Sequence, residues 1–243
     1  MAILGKVLLG LVATYLVATI SESLLHRFVL HASVKTRRFW VKYPGIFGHL
    51  LRAHYRHAVV HHGLTFCVNH VTQFENAEAR AEVERSVAPR SDKLIQREQY
   101  GLTIGLRGFV TYNLTVVPII PLLYGFAGPW ALWGAVPVLT LAPLSAMLVH
   151  PFLHRHQEAA ARGDPAVARL LMRTWYYQRL SRHHFLHHKY GNCNFNLLLG
   201  GDRLLGTHRS PTAQDMNEMA EIGISVLKAA EARSACPGPH GAG

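Results

Sequence analysis

Cysteine is scarce in this chain of 243 residues, with three copies at Cys67, Cys193 and Cys236. The three are odd in number, lie far apart and form no CxxC pair. The sequence therefore predicts neither a disulfide framework nor a zinc site built from thiolates. A GxGxxG nucleotide-binding motif is also missing, which argues against a second domain that carries a nucleotide cofactor.

Charged residues are few, and acidic ones fewest. Asp and Glu number 14 against 25 Lys and Arg, which gives a net charge of +11, and 16% of the residues are charged while 49% are hydrophobic. A basic chain can bind nucleic acid, acidic partners or an anionic bilayer surface. Here the basic residues flank apolar runs and form no groove-reading motif, so we expect a membrane and no nucleic acid.

Two long stretches carry almost no charge. Residues 1–25 contain only Lys6 and Glu22, and residues 102–149 contain only Arg107. The first stretch has the length of one membrane span. A signal peptide is the alternative, but no A-x-A cleavage site followed by a polar sequence is present. The second stretch allows two spans joined by a Gly-Pro turn. We therefore predict spans at about residues 2–25, 102–126 and 129–149.

The Lys and Arg residues predict the orientation of these spans. All except Lys6 and Arg107 lie outside the two apolar stretches, and the positive-inside rule then places residues 26–101 and 150–209 in the cytoplasm. The predicted fold class is all-α: an integral membrane helical bundle of about three to four spans with a cytoplasmic helical cap. Residues 1–209 would form this domain, and residues 210–243 a C-terminal helix with a flexible tail.

Histidine is over-represented, with 17 copies. Ten of them form four boxes spaced HX4H, HX3HH, HX3H and HX2HH; these are His26 and His31, then His57, His61 and His62, then His150 and His154, and then His184, His187 and His188. Side chains three or four residues apart share one face of an α-helix, so three boxes predict converging imidazoles. The HX4H pair does not share a face, and we expect His26 and His31 to bracket a helix end.

The order of the boxes repeats along the chain. A span, a two-histidine box, about thirty residues and a three-histidine box occur twice, so five plus five imidazoles would fill two adjacent metal sites. Imidazole ligands suit iron, zinc or copper better than magnesium or calcium. A pH sensor is another use of clustered histidines, but it requires no repeated spacing. We therefore predict a histidine-rich site for two metal ions in the cap.

The four boxes, their position between spans, the Asn194-Phe195 pair and the motif Asp202-Arg203-Leu204-Leu205-Gly206-Thr207 resemble the fatty acid hydroxylase/sterol desaturase superfamily, over roughly residues 26–207. The resemblance implies a membrane non-haem di-iron monooxygenase whose ten boxed histidines hold two iron ions, or zinc in a purified sample. O2 would be the cosubstrate. The expected reaction is hydroxylation of an unactivated C–H bond in a lipid or other hydrophobic substrate that enters from the bilayer, with desaturation of a sterol or acyl chain as the alternative.

Further roles follow from this interpretation. Asp202 is the candidate to orient a ligand imidazole through its second ring nitrogen, with Asn194 and Glu22 behind it. His54 and His183 are alternatives to neighbouring ligands. Four phenylalanines near the boxes either line a substrate path or pack the core: Phe28, Phe152, Phe185 and Phe195.

Electrons would come from a separate ferredoxin or cytochrome-type carrier with its reductase, docked on the basic face. A second alternative is a non-catalytic membrane protein that binds or transports metal. Such a protein would place ionisable ligands within its spans, whereas here the histidines lie at the ends of the spans.

Overall fold

The computed structural model describes residues 2–66, 76–86, 106–154 and 166–224. Across these residues the chain forms helices and turns and no strand, which confirms the all-α prediction. Several predicted features lie outside the described residues, namely part of the 26–101 segment, Cys67, Cys236 and the C-terminal tail.

Twelve α-helices and two π-helical segments make up the described chain. The α-helices are α1 (Ile3–Leu25), α2 (Val34–Lys42), α3 (Pro44–His54), α4 (Ala77–Ser86), α5 (Leu106–Leu114), α6 (Ile119–Ala127), α7 (Pro129–Leu148), α8 (His150–Leu153), α9 (Ala166–Met172), α10 (Trp175–Tyr190), α11 (Gly201–Leu204) and α12 (Ala213–Glu221). The π-helical segments are π1 (His26–Leu30), which continues α1, and π2 (Tyr55–Thr65), which continues α3.

Helices α1, α6 and α7 pack into a bundle, and two glycines set how closely α1 and α7 approach. A Cβ atom at Gly10 would lie 1.8 Å from the carbonyl oxygen of Ala131, and one at Gly134 would lie 1.9 Å from that of Val7. The two backbones are therefore in direct contact. Small residues that allow such an approach are typical of helix pairs packed in a membrane.

The predicted span at 102–126 is not one helix. Within its described part, α5 ends at Leu114 and α6 begins at Ile119, directly after Pro118. A proline has no N–H to donate and disfavours helix in the residue before it, which accounts for the break. The Asn113 side chain donates to the carbonyl oxygens of Phe109 and Leu139, both at 3.1 Å, and so ties the break to α7.

One helix in the described chain is long and apolar enough to cross a membrane, the continuous segment Ile3–Leu30 formed by α1 and π1. Pro129–Leu144 is a shorter apolar helix. Both expose large hydrophobic side chains, among them Leu4 and Val12 on α1 and Trp133 and Leu141 on α7.

Helices α8 to α10 form a second core beside the bundle, around Leu153, Met172 and Leu180. Helix α12 packs on α10 through Met219, which is fully buried. Helix α9 ends at Met172, and a separate helix, α10, begins at Trp175. Thr174 caps this helix by accepting a hydrogen bond from the Tyr177 N–H, as N-cap threonines commonly do.

Candidate metal centre

All ten boxed histidines lie together where α1 ends, and they form two adjacent groups. Group 1 contains five imidazoles, those of His26, His31, His57, His62 and His187. Group 2 contains those of His61, His150, His154 and His184. His188 lies between the groups, with its Nε2 atom 3.1 Å from that of His61 and within 4.8 Å of that of His62. Within each group, every pair of ligand atoms is separated by 4.8 Å or less.

The Nε2 atoms of group 1 face one another. The Nε2 of His57 lies 2.8 Å from that of His26, 3.2 Å from that of His31 and 3.1 Å from that of His62. The Nε2 of His187 lies 3.2 Å from those of His31 and His62. Nitrogens bound at about 2.1 Å and at right angles around one metal ion lie about 3.0 Å apart. The spacing of these imidazoles therefore fits ligands of a common ion.

The π-helical segments explain how histidines five residues apart reach the same group. His26 and His31 span π1, where the His31 N–H donates to the His26 carbonyl at 3.0 Å. His57 and His62 have the same spacing on π2. A π-helix bonds residue i to residue i+5 and so brings side chains five apart onto one face, which an α-helix does not. His26 and His31 do bracket a helix end, as the residues that follow α1 and π1, and the π-helical turn between them brings both imidazoles into one group.

Both three-histidine boxes are divided between the two groups. On π2, His61 joins group 2 while His62 joins group 1. On α10, His184 joins group 2 while His187 joins group 1. Each group is thus built mainly from one half of the chain and receives one imidazole from the other half.

Backbone carbonyls fix the orientation of two imidazoles in group 1. The Nδ1–H of fully buried His187 donates to the Cys193 carbonyl at 2.9 Å, and His26 hydrogen-bonds to the Phe195 backbone. A neutral imidazole carries one N–H, so the Nε2 of His187 presents a lone pair to the other imidazoles of group 1. A metal ion can bind converging imidazole nitrogens, and the donor set fits a metal of the iron, copper or zinc type.

Burial keeps these imidazoles neutral, as metal ligands must be. Burial, with a contribution from nearby His54, lowers the pKa of His31 to about 4. Burial and the neighbouring His31 lower the pKa of His187 to about 3. The pKa values of His57, His61 and His188 also fall well below the usual 6.5, because burial and repulsion from adjacent imidazoles disfavour the protonated form.

One phenylalanine lies against each group. Phe195 contacts three imidazoles of group 1, with ring centroids 5.5 Å apart for His187. Phe66, which sequence reasoning missed, stacks on His154 of group 2 with a centroid distance of 4.0 Å. Phe28 is exposed and Phe185 packs against Met219 on α12. Phe152 lies in the core around Leu153. Phe66 follows π2 directly, and only its closeness to the second box could have pointed to it.

Asp202 is buried to 99% but contacts a histidine outside both groups. Its Oδ2 atom lies 3.1 Å from the Nε2 of His183 and accepts from the Asn196 N–H at 2.9 Å, while its Oδ1 accepts from the Thr207 hydroxyl at 2.6 Å. Burial alone would raise the pKa of Asp202, but the hydrogen bonds from His183 and Thr207 lower it. Asp202 therefore pairs with His183, the residue before the ligand candidate His184, and His183 belongs to neither group.

The other two orienting candidates hold the segment 194–201 in place. Asn194, at a φ of 54°, pairs its side chain with the Arg209 backbone at 2.8 and 3.1 Å. The Oε2 atom of Glu22 accepts from the Leu198 N–H at 2.9 Å. One turn earlier on α1, the Thr19 hydroxyl accepts from the Gly201 N–H at 2.8 Å. These contacts anchor to α1 the segment whose Cys193 and Phe195 orient the group 1 imidazoles.

The two alternative ligands lie outside both groups. The Nδ1 of His54 is 2.8 Å from the Leu30 carbonyl oxygen, and His183 pairs with Asp202 and stacks near His208.

In comparisons with known proteins, no family model, no curated protein and no solved structure matches this chain. The interpretation of the site consequently depends on its own geometry and chemistry.

Proposed function

We propose that this chain is an integral-membrane di-iron oxygenase that uses O2 to hydroxylate a C–H bond of a lipid or other hydrophobic substrate. The observation that carries the proposal is the pair of adjacent, all-imidazole groups, one buried and one partly buried, at the end of an apolar helix. A single ion would need only one of them. Two neighbouring groups, with His188 between them, suit a centre of two metal ions.

Group 1 would hold one iron ion, and group 2 together with His188 the other. When bound, the two ions would supply the reduced centre that activates O2. The protein's own part is to present neutral imidazoles in fixed tautomers and to exclude water from them. The Cys193 carbonyl performs the first task at His187, and the rings of Phe66 and Phe195 perform the second.

The membrane placement extends beyond Ile3–Leu30. We propose that α5 with α6, and α7, form two further passes, because α6 and α7 pack on α1, α5 packs on α7, and the helices expose apolar side chains such as Leu114, Leu122 and Trp133. Surfaces of this kind are expected where lipid replaces water. The metal groups would lie on the cytoplasmic side, following the distribution of Lys and Arg. A hydrophobic substrate would reach them from the bilayer.

Electrons would come from a separate ferredoxin or cytochrome-type carrier and its reductase, because the sequence contains neither a cysteine cluster nor a GxGxxG motif. The chain itself would then contribute ligand geometry and substrate binding only.

Lipid analysis of cells that produce the protein tests the proposal. Extracts from cells with wild type, His187→Ala and His49→Ala would be compared by mass spectrometry, alongside the iron content of each purified protein. His49 is exposed and lies outside both groups, so it is the matched control. We expect a product with one added oxygen in wild type and His49→Ala, and none in His187→Ala.

Each other outcome has a distinct meaning. A product that has lost two hydrogens would make the protein a desaturase. Bound iron without any product, with donor proteins supplied, would favour a metal-binding or transport role. A wild-type protein that binds no transition metal would overturn the di-iron proposal altogether.

A further inference from the structure

Helices α2 and α3 form a hairpin that directly follows the apolar segment Ile3–Leu30. One side of the hairpin packs on π1 and π2, which carry the metal-site histidines. Trp40 and Ala32 are buried there. The other side is open and mixes apolar with basic residues.

The open side exposes large hydrophobic side chains, and their contact with water is unfavourable. Phe39 is 51% exposed, Val41 62% and Ile46 65%. Val34 and Tyr43 are also exposed. Clustered apolar residues of this kind usually mark a surface that contacts lipid or a partner.

The charge of the hairpin has one sign. No Asp or Glu occurs between Glu22 and Glu75. Lys35, Arg38 and Lys42 are exposed on α2 beside the hydrophobic residues. A groove along α2 is lined by Val34, Arg37, Arg38, Val41 and Lys42. Among the described residues, the buried Nε of Arg37 has no hydrogen-bond partner.

We propose that the α2–α3 hairpin lies in the plane of the membrane surface and binds the headgroups of anionic phospholipids. Phe39 and Ile46 would insert among the lipid chains, while Lys35, Arg38 and Lys42, next to Phe39 around α2, contact phosphate groups. A basic amphipathic helix beside a span has this binding behaviour. The hairpin also holds π1 and π2 from one side, so its attachment fixes the metal groups at a set depth near the bilayer. The inference depends on the membrane placement of Ile3–Leu30 and not on the metal chemistry.

The test uses the full-length protein in lipid nanodiscs, with an environment-sensitive fluorophore attached at Ile46→Cys. Cys67 and Cys236 are replaced by Ser, while buried Cys193 is retained. Quenching by nitroxide-labelled lipid is measured in phosphatidylcholine alone and in an equal mixture with phosphatidylglycerol. Probes at Val12→Cys on α1 and Asn217→Cys on α12 provide the lipid-exposed and solvent-exposed references.

We expect lipid quenching at residue 46 that rises with phosphatidylglycerol and weakens at high salt. Replacing Lys35, Arg38 and Lys42 together by Gln should remove the phosphatidylglycerol-dependent part. Replacing the exposed residues Arg85, Arg173 and Arg203 by Gln is the matched control and should retain it.

Four results would overturn the inference. A quenched probe at residue 12 with an unquenched probe at residue 46 would show that the hairpin is away from the lipid. Equal quenching in both lipid mixtures would remove the headgroup selectivity. Protection of residue 46 by an added acidic ferredoxin, and not by lipid, would make this face a carrier-docking surface. An unquenched probe at residue 12 would refute the membrane placement as well.

Discussion

His61 and His62 are adjacent in the chain and both lie within 4.8 Å of His188, but His61 belongs to group 2 and His62 to group 1. Replacing either by Ala should therefore lower bound iron from about two ions to about one per chain, because each variant damages one group of imidazole ligands and spares most of the other. Metal content after gel filtration measures this loss. The exposed His49→Ala variant should retain both ions, and an equal loss in that variant would contradict the assignment.

Asp202 connects His183, Asn196 and Thr207 through three hydrogen bonds. Asp202→Ala should cost about 2–4 kcal/mol of unfolding free energy, because it leaves the buried Asn196 N–H unpaired. His183→Ala removes only one of these bonds and should cost less. Thermal unfolding of both variants in detergent gives the comparison. Equal Tm values for the two variants would show that Asp202 acts through His183 alone.

The residues of the site could be predicted from the sequence, but their division between the groups could not. Box spacing singled out all ten histidines that the structure brings together. The pairing of His26 with His31 and of His57 with His62 in group 1 depends on π-helical geometry, which adds one residue per hydrogen-bonded turn and leaves no compositional signal. The carbonyls of Cys193 and Leu30 were also unpredictable, since a backbone acceptor has no residue type that marks it.

Among the elements, the α1–α7 contact is the most sensitive to side-chain size. Gly134→Ala would place a Cβ atom 1.9 Å from the Val7 carbonyl oxygen, so the two helices would have to separate. We expect a loss of about 1–3 kcal/mol. Gly125→Ala on α6 is the control, because nothing lies within 4 Å of its Cβ position. A similar Tm for the two variants would argue against close α1–α7 packing in the membrane.

Element boundaries were predicted less well than element types. The apolar stretch at 102–149 was expected to give two spans kinked at their prolines, and its described part contains a break before Pro118. Membrane helices tolerate proline when another group satisfies the freed backbone, so the sequence alone could not decide between a kink and a break. In the structure the chain breaks here, and the Asn113 side chain holds the break by donating to the carbonyl oxygens of Phe109 and Leu139.

At the scale of the whole molecule, bound metal should be a major source of stability. Removing it leaves ten clustered imidazoles, six of them buried, without their common ligand, and any ligand that binds only the folded state stabilises that state. Chelator treatment should lower the Tm, and added Fe(II) should restore it. The His187→Ala variant should show a smaller change. An unchanged Tm after verified metal removal would contradict this expectation.

The metal-free protein should also be sensitive to acid. An unfolded histidine titrates near 6.5, whereas the pKa is about 4 for His31 and about 3 for His187 in the folded chain. Between these values the unfolded chain binds more protons, so the unfolding free energy decreases as pH falls from about 6.5 towards 4. Above about pH 6.5 this loss disappears. Tm measurements on chelator-treated protein across this range check the sign, and a Tm that rises on acidification would contradict it.

The exchange of one imidazole between the halves of the chain has a consequence for biosynthesis. Group 1 needs His187 from α10, so it remains open while the first 62 residues and the following helices are synthesised. Group 2 contains His61 but closes only when α10 supplies His184. Neither iron ion could be fully enclosed before nearly the whole chain has left the ribosome. Iron insertion would then be a late maturation step, and a truncated translation product would expose ligands without retaining either ion.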